Sequence, residues 1–185
     1  DRKTQAILPL RGKILNVASA SAEKLRANQE LNDLMQAIGC GTGENYSENS
    51  LRYEKIIIMT DADVDGAHIA SLLMTFFYRQ TPKLIENGHL FVAMPPLFRI
   101  TQGGQTYYAK DEAHKDEIIN EQLSSKTKIE ISRFKGLGEM PASQLKETTM
   151  CPEKRNLLKI TVPNLDCLET NSMRSKPMTR LEVDK

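Results

Sequence analysis

The sequence predicts an α/β fold built on a parallel sheet flanked by helices. Lys55–Met59 is apolar and β-branched without alternation, which is typical of a strand buried on both faces. A segment with the composition of a helix follows at residues 67–78. Three carboxylates, at Asp61, Asp63 and Asp65, stand between this strand and helix, where open α/β sheets bind their ligands. We therefore expect a functional site at the carboxyl end of this strand.

The other elements favour the same fold class. Residues 22–38 have helical periodicity, and Gly39 is placed to end that helix. Leu90–Met94 is a second buried strand, which the two prolines after it terminate. Four further elements are predicted: a hairpin over 98–108 around a Gly-Gly turn, a helix over 111–123, a strand over 128–131 and a helix over 141–149.

The composition restricts the classes of function. The 25 Lys and Arg residues nearly balance 24 Asp and Glu residues, so any contact with nucleic acid must come from local basic patches. Cys40, Cys151 and Cys167 lack the spacing of a metal site, and we expect reduced thiols of a cytoplasmic protein. No apolar run approaches the length of about 18 residues that a membrane span requires.

The aspartates predict a metal site. Side chains at alternate positions of an extended segment point the same way, so Asp61 and Asp63 are expected to converge, with Asp65 as a further ligand. Oxygen ligands favour Mg²⁺, with Mn²⁺ or Ca²⁺ as substitutes. A helix-loop-helix calcium loop is an alternative, but Leu72 occupies the position of its required glutamate. A haloacid dehalogenase-type phosphatase loop is another, although Ala67 replaces its hydroxyl residue. A solvated acidic turn is the third.

Three segments resemble the TOPRIM domain of type IIA DNA topoisomerase B subunits. Ile58–Ile69, which contains the aspartates, resembles the acidic motif of that domain. Pro9–Val17 resembles the segment that follows its first motif, and Arg133–Met140, continued by Gln144–Met150, resembles its third motif. The segments occur in the order and with the spacing of the family. Stretches within residues 16–30 are more similar to the topoisomerase IV branch of the family than to the gyrase branch.

The resemblance implies a Rossmann-like TOPRIM domain over residues 1–162. Its core would cover about 1–100, and a C-terminal part with the third motif would cover about 101–162. Residues 163–185 have few apolar side chains and no clear period, so their role stays open. The family's first motif, E-G-D-S-A, does not occur in this sequence. We therefore expect its strand to be absent from the sheet and its metal-binding glutamate to be absent from the site.

The resemblance also implies roles for single residues. The metal ligands would be Asp61, Asp63 and Asp65. The basic residues expected to contact DNA are Arg11, Lys13, His68, Arg133 and Lys135, of which Arg11, Lys13 and Lys135 would also support catalysis. A site for quinolone-type inhibitors would include Arg11, Asn28 and Glu30. The alternative for the lysines is simple solvation, and the alternative for His68 is capping of the helix that begins near it.

The activity that the resemblance implies is ATP-dependent passage of one DNA duplex through another. In the family, a tyrosine of an A subunit cuts the DNA within a heterotetramer, and ATP binds a domain that has no counterpart here. None of the five tyrosines of this sequence matches that nucleophile, so the chain alone is expected to be inactive. The implied location is the cytoplasm, with the nucleoid. A gyrase B subunit, a phosphatase and an inactive module that binds DNA and the A subunit remain as alternatives.

Overall fold

The computed structural model of the chain describes residues 1–11, 15–17, 19–123 and 128–162. The chain divides into two compact units. The first unit contains Asp1–Ile56, Thr75–Phe91 and the described residues from Leu158 onward, and the second contains Ile57–Met74 and Val92–Leu157. Residues 61–65, hereafter the acidic loop, and residues 135–139, hereafter the third-motif turn, therefore belong to the second unit.

The described residues form both helices and strands, as expected of an α/β protein. The helices are α1 (Ala22–Ala27), α2 (Gln29–Ile38), α3 (Val64–Gln80), α4 (Pro82–Glu86), α5 (Glu112–Gln122) and α6 (Ala142–Leu145), which a π-helical turn (Lys146–Met150) continues. The strands are β1 (Ile56–Ile58), β2 (Leu90–Ala93), β3 (Phe98–Gln102), β4 (Gln105–Ala109), β5 (Glu130–Arg133) and β6 (Leu157–Lys159). No helix in these described ranges is both long and apolar enough to cross a membrane.

The helix predicted over residues 22–38 is two helices, because Asn28 interrupts it. The backbone of Asn28 is extended, with φ −79° and ψ 109°, and its Oδ1 accepts a hydrogen bond from the Leu31 N–H at 2.9 Å. A side-chain oxygen that binds an otherwise unpaired N–H in this way starts a new helix. Gly39 ends α2 with a φ of 83°, as the sequence predicted.

The first sheet has the strand order β1-β2-β6. The Met94 N–H donates to the Asn156 carbonyl and the Ile160 N–H donates to the Leu90 carbonyl, both at 3.0 Å. Residue numbers rise along β2 as they fall along β6, so these two strands are antiparallel. No sequence pattern indicates β6, because its three residues are too few to establish one. The α/β class is confirmed.

The second sheet lies wholly within the second unit and contains the predicted hairpin. Its order is β4-β3-β5, with both pairs antiparallel. Phe98 and Ile100 of β3 are buried together with Ala109 of β4 and Ile118 of α5, each with at most 5% of its surface exposed. β5 pairs with β3, which carries Phe98 and Ile100 of this core, and the third-motif turn follows β5 after one residue.

Candidate metal centre

The acidic loop joins β1 to α3, but its backbone is not extended as the sequence predicted. Asp63 immediately precedes α3, and its Oδ1 accepts a hydrogen bond from the Gly66 N–H at 2.7 Å. Asp63 therefore acts as the N-terminal cap of the helix, because an N–H of the first turn would otherwise lack a partner. Asp65 lies within that first turn. The capping chemistry of Asp63 bends the chain, so Asp61, Asp63 and Asp65 do not follow the alternation of a strand.

Gly66 is required by a close approach of the backbone. A Cβ atom at this position would lie 2.0 Å from the carbonyl oxygen of Asp61. Atoms at that distance overlap severely, so no other residue fits without moving the loop. The glycine that follows the three aspartates in the sequence therefore allows the acidic loop to fold back onto the start of α3.

The third-motif turn contacts the acidic loop at Asp61. The Leu137 N–H donates to Asp61 Oδ1 at 2.8 Å, although 76 residues separate the two in sequence. Gly136 makes room for this contact, since a Cβ atom there would lie 3.0 to 3.1 Å from the atoms of the Asp61 carboxylate. Two motifs that the sequence showed only as separate segments are thus brought to one carboxyl group.

Glu139 closes the third-motif turn through a hydrogen bond to the backbone. Its Oε2 accepts a hydrogen bond from the Lys135 N–H at 2.8 Å, and residues Leu137–Glu139 form a short 3₁₀ turn. The side chain of Lys135 is exposed. Lys135 is therefore an exposed residue whose backbone is fixed within the third-motif turn, one residue before the glycine that lies against Asp61.

The other two basic residues predicted in this unit differ in their surroundings. Arg133 on β5 is exposed, and its guanidinium lies 5.7 Å from the centre of the Phe98 ring, while the Lys115 ammonium lies 5.2 Å from the same centre. Such contacts between a cation and an aromatic face orient the side chain. His68 is exposed and lies one turn inside α3. It does not cap the helix, because Asp63 does.

The charges and oxygen atoms of the acidic loop fit a hard divalent cation. Asp61, Asp63 and Asp65 are exposed, and none of them has a Lys or Arg partner within ion-pair distance among the described residues. Carboxylates that lack a cationic partner repel one another, and oxygen ligands of this kind suit Mg²⁺. The described residues nevertheless include no group of three or more His, Cys, Asp or Glu side chains gathered closely enough to hold an ion by themselves. The loop therefore offers a partial site, in which other oxygen donors would complete the coordination.

The surface beside the acidic loop is open. The depression that touches it, lined in part by Ala62, Gly136 and Leu137, has a volume of only about 10 Å³. A larger cavity of about 270 Å³ lies elsewhere in the same unit and is lined by none of the predicted site residues. An open surface with exposed carboxylates suits an extended ligand that supplies its own oxygens better than an enclosed small molecule.

The residues predicted for an inhibitor site lie in the first unit. The Arg11 N–H donates to Glu30 Oε1 at 3.1 Å, so the structure brings these two residues together. Asn28 caps α2, and Glu30 lies in the first turn of that helix. Lys13 lies outside the described residues. The prediction of an inhibitor site at these positions remains a prediction.

Sequence reasoning missed two contributors to the site. The amide of Leu137 and the carboxylate of Glu139 act through hydrogen bonds that depend on the folded turn. A backbone N–H has no sequence signal of its own. The sequence signal for Glu139 is its place after Gly136 and Gly138, because a polar side chain near such glycines can hydrogen-bond the backbone and close a turn.

Two protein-family models match the chain, one at each end. A model of the Toprim domain matches residues 1–95. A model described as the DNA gyrase B subunit, carboxyl terminus, matches residues 126–182, which include most of the segment that had no recognisable pattern. The two matches occur in the order expected from the acidic motif and the third motif.

Individual relatives agree with these matches. The chain is 59% identical over 97% of its length to the B subunit of DNA topoisomerase 4 from Bartonella bacilliformis, and 62% identical over 97% to the protein of the same name from Caulobacter vibrioides. It is 52% identical over 88% of its length to the B subunit of DNA gyrase from Halalkalibacterium halodurans. The chain spans only about a quarter of these relatives, 27%, 26% and 25% of their respective lengths.

Proposed function

The chain belongs to the Toprim domain family, and from this premise we propose that it forms the metal-binding part of the DNA cleavage and religation centre of a type IIA topoisomerase. The observation that carries the proposal is the meeting of the acidic loop with the third-motif turn at Asp61. Identities near 60% to topoisomerase 4 subunits, against 52% to a gyrase subunit, favour topoisomerase IV over gyrase.

In this proposal Asp61 and Asp63 hold Mg²⁺, and Asp65 takes part directly or through water. Each of the first two carboxylates uses its Oδ1 for a backbone N–H, and no described residue donates to its Oδ2. A bound divalent ion would supply charge stabilisation at a phosphodiester that is being cut or resealed. Because the described carboxylates are too few and too dispersed to enclose an ion, DNA oxygens would complete the coordination.

The basic residues of the second unit would position the DNA. Lys135 is exposed in the third-motif turn, which contacts the acidic loop at Asp61, and its ammonium group is proposed to contact a backbone phosphate there. Arg133 can do the same while its guanidinium stays oriented by Phe98. His68 is exposed on α3 and available for a phosphate contact. The order of the motifs alone is the basis for proposing that Arg11 and Lys13 bind DNA and support catalysis.

The whole enzyme would need parts beyond these residues. We propose that a tyrosine of an A subunit cuts the DNA within a heterotetramer, and that ATP acts on a separate domain. A cytoplasmic location with the bacterial nucleoid belongs to the same proposal. The names of the relatives support it, since they are subunits of topoisomerases. Quinolone-type inhibitors would bind near Arg11, Asn28 and Glu30.

The proposal is tested by DNA binding of the complete two-subunit enzyme across a salt series. Replacing Lys135 by Ala should weaken cleavage and reduce the slope of log affinity against log salt by about one phosphate contact. Lys135→Arg should restore only part of the activity, because a guanidinium is larger and planar. Lys128→Ala is the matched control. Lys128 also lies close to β5, but it precedes the strand, whereas Lys135 follows it in the third-motif turn. The ammonium group of Lys128 pairs with Glu130 at 3.2 Å.

Two results would contradict the proposal. One is a Lys135→Ala enzyme whose salt slope and cleavage both equal those of the Lys128→Ala control. The other is metal-dependent release of phosphate from phosphomonoesters by the isolated chain that disappears in Asp63→Asn. That second result would identify a phosphatase.

A further inference from the structure

We propose that the third-motif turn is a positioning element for the metal ligand Asp61, and that Glu139 serves this turn rather than the metal. The inference rests on the metal site of the proposed function. It adds a role for three positions, Gly136, Leu137 and Glu139, that have no metal-binding or DNA-binding role in that proposal.

The first step is the hydrogen bond that fixes the carboxylate. The Leu137 N–H donates to Asp61 Oδ1 at 2.8 Å, so rotation of the carboxyl group would break a contact to a charged acceptor. With Oδ1 held, Oδ2 is the oxygen that remains for an ion. Hydrogen bonds to a ligating carboxylate orient it and commonly change metal affinity by about 10-fold to 100-fold.

The second step is the space beside the carboxylate. Gly136 has a φ of −165°, an extended conformation that any residue adopts, so its backbone does not require glycine. The requirement is steric, since a Cβ would lie 3.0 Å from Asp61 Cγ and 3.1 Å from both of its oxygens. Alanine at this position would push the carboxylate from its place without straining the turn.

The third step is the closure of the turn. Glu139 is an exposed carboxylate in the same turn as Leu137, whose N–H binds Asp61, and a carboxylate in that place is a natural candidate for a further metal ligand. Its Oε2, however, accepts the Lys135 N–H at 2.8 Å across the turn. This contact needs an oxygen acceptor, and that oxygen need not carry a negative charge. Glutamine can therefore replace Glu139 as a turn closer but not as an anionic ligand.

The test is Mn²⁺ binding to the chain, followed by the paramagnetic broadening or relaxation of water. Gly136→Ala should weaken Mn²⁺ affinity by about 10-fold. Gly138→Ala is the matched control, because no atom lies within 4 Å of a Cβ at that glycine two residues later in the same turn. The control should bind as wild type does. Circular dichroism and urea unfolding of each variant confirm that the fold is retained.

Variants at Glu139 separate positioning from ligation. Glu139→Ala should weaken binding by about 10-fold, and Glu139→Gln should restore it to within about 2-fold of wild type. A Glu139→Gln variant as weak as Glu139→Ala would identify Glu139 as a ligand and overturn the inference. Equal affinity for wild type and Gly136→Ala would overturn it as well.

The failure of the underlying proposal gives a different result. If Asp61→Asn binds Mn²⁺ as wild type does, Asp61 is not a ligand, and both the metal site and its positioning element fail. If Asp61→Asn weakens binding while Gly136→Ala and Glu139→Ala leave it unchanged, the metal site stands and only the positioning role is refuted.

Discussion

Replacement of Gly66 by Ala tests the tight backbone contact at the start of α3, because two physical effects of opposite sign compete there. Gly66 lies inside α3, and alanine in a helix is more favourable than glycine by about 1 kcal/mol. Helix propensity alone therefore predicts a more stable protein. The close approach of Asp61 predicts the reverse.

One distance in the structure decides whether Gly66→Ala raises or lowers the free energy of unfolding. The new Cβ would lie 2.0 Å from the Asp61 carbonyl oxygen, whereas real Cβ atoms essentially never come within 3.0 Å of a non-bonded heavy atom, so the loop must open by about 1 Å. The obstacle is backbone, which cannot swing aside as the end of a side chain can. Overpacking of this kind costs about 1–3 kcal/mol, and the rigid obstacle places the cost at about 3 kcal/mol. The net expectation is a loss of about 2 kcal/mol.

Urea unfolding measures the outcome, and thermal unfolding should show a midpoint lower by about 4–8 °C. Gly138→Ala, which meets no atom within 4 Å, should change stability by less than about 0.5 kcal/mol. A Gly66→Ala protein as stable as wild type, or more stable, would refute the reasoning. It would mean that the acidic loop does not fold back onto α3 at this distance.

Three further predictions concern other parts of the chain. Ile100→Ala should lower the free energy of unfolding, measured with urea, by about 2–5 kcal/mol, because Ile100 is fully buried. Ile131 lies directly opposite Ile100 on β5 and is 49% exposed, so Ile131→Ala should lower that free energy far less. Burial alone would lower the pKa of His89, but its hydrogen bonds to the Glu54 carbonyl and the Glu48 carboxylate outweigh burial and raise that pKa above its ordinary 6.5. The resulting stabilisation is under about 1 kcal/mol, because Glu48 is exposed. It is complete below pH 6.5 and is lost as the pH rises through the raised pKa of His89. The urea midpoint of the wild type should therefore fall over that range, and the midpoint of Glu48→Gln should change less. Asn28→Ala should cost about 1 kcal/mol through loss of the α2 cap, seen as reduced helicity and a lower urea midpoint.

The elements that the sequence predicted best are those whose pattern is local. The strand before the acidic loop, the hairpin and the helix that Gly39 ends all follow from runs of a few residues, and all are present. The break at Asn28 was missed because helical periodicity continues across it, although asparagine is a strong capping residue. Helix α4 was missed because its five residues are too few to show a period.

The candidate site was predicted in its chemistry but not in its geometry. The pattern of three aspartates predicts alternation along an extended segment, yet Asp63 turns the chain by capping α3. The competing principle is that a helix start needs a partner for its free N–H groups, and a carboxylate is a good one. The approach of Leu137 to Asp61 lies beyond local pattern, because it joins residues 76 positions apart.

That separation has a consequence for the order in which the molecule assembles. Between Asp61 and Leu137 the chain leaves the second unit, passes through Thr75–Phe91 of the first, and returns. Contacts between distant positions carry a large entropic cost of loop closure and form late in folding. A nascent or partly folded chain would therefore hold its aspartates without the turn that orients one of them. In the proposed metal site, the Asp61 carboxylate would therefore be oriented only in chains in which residues 61 and 137 have already come together.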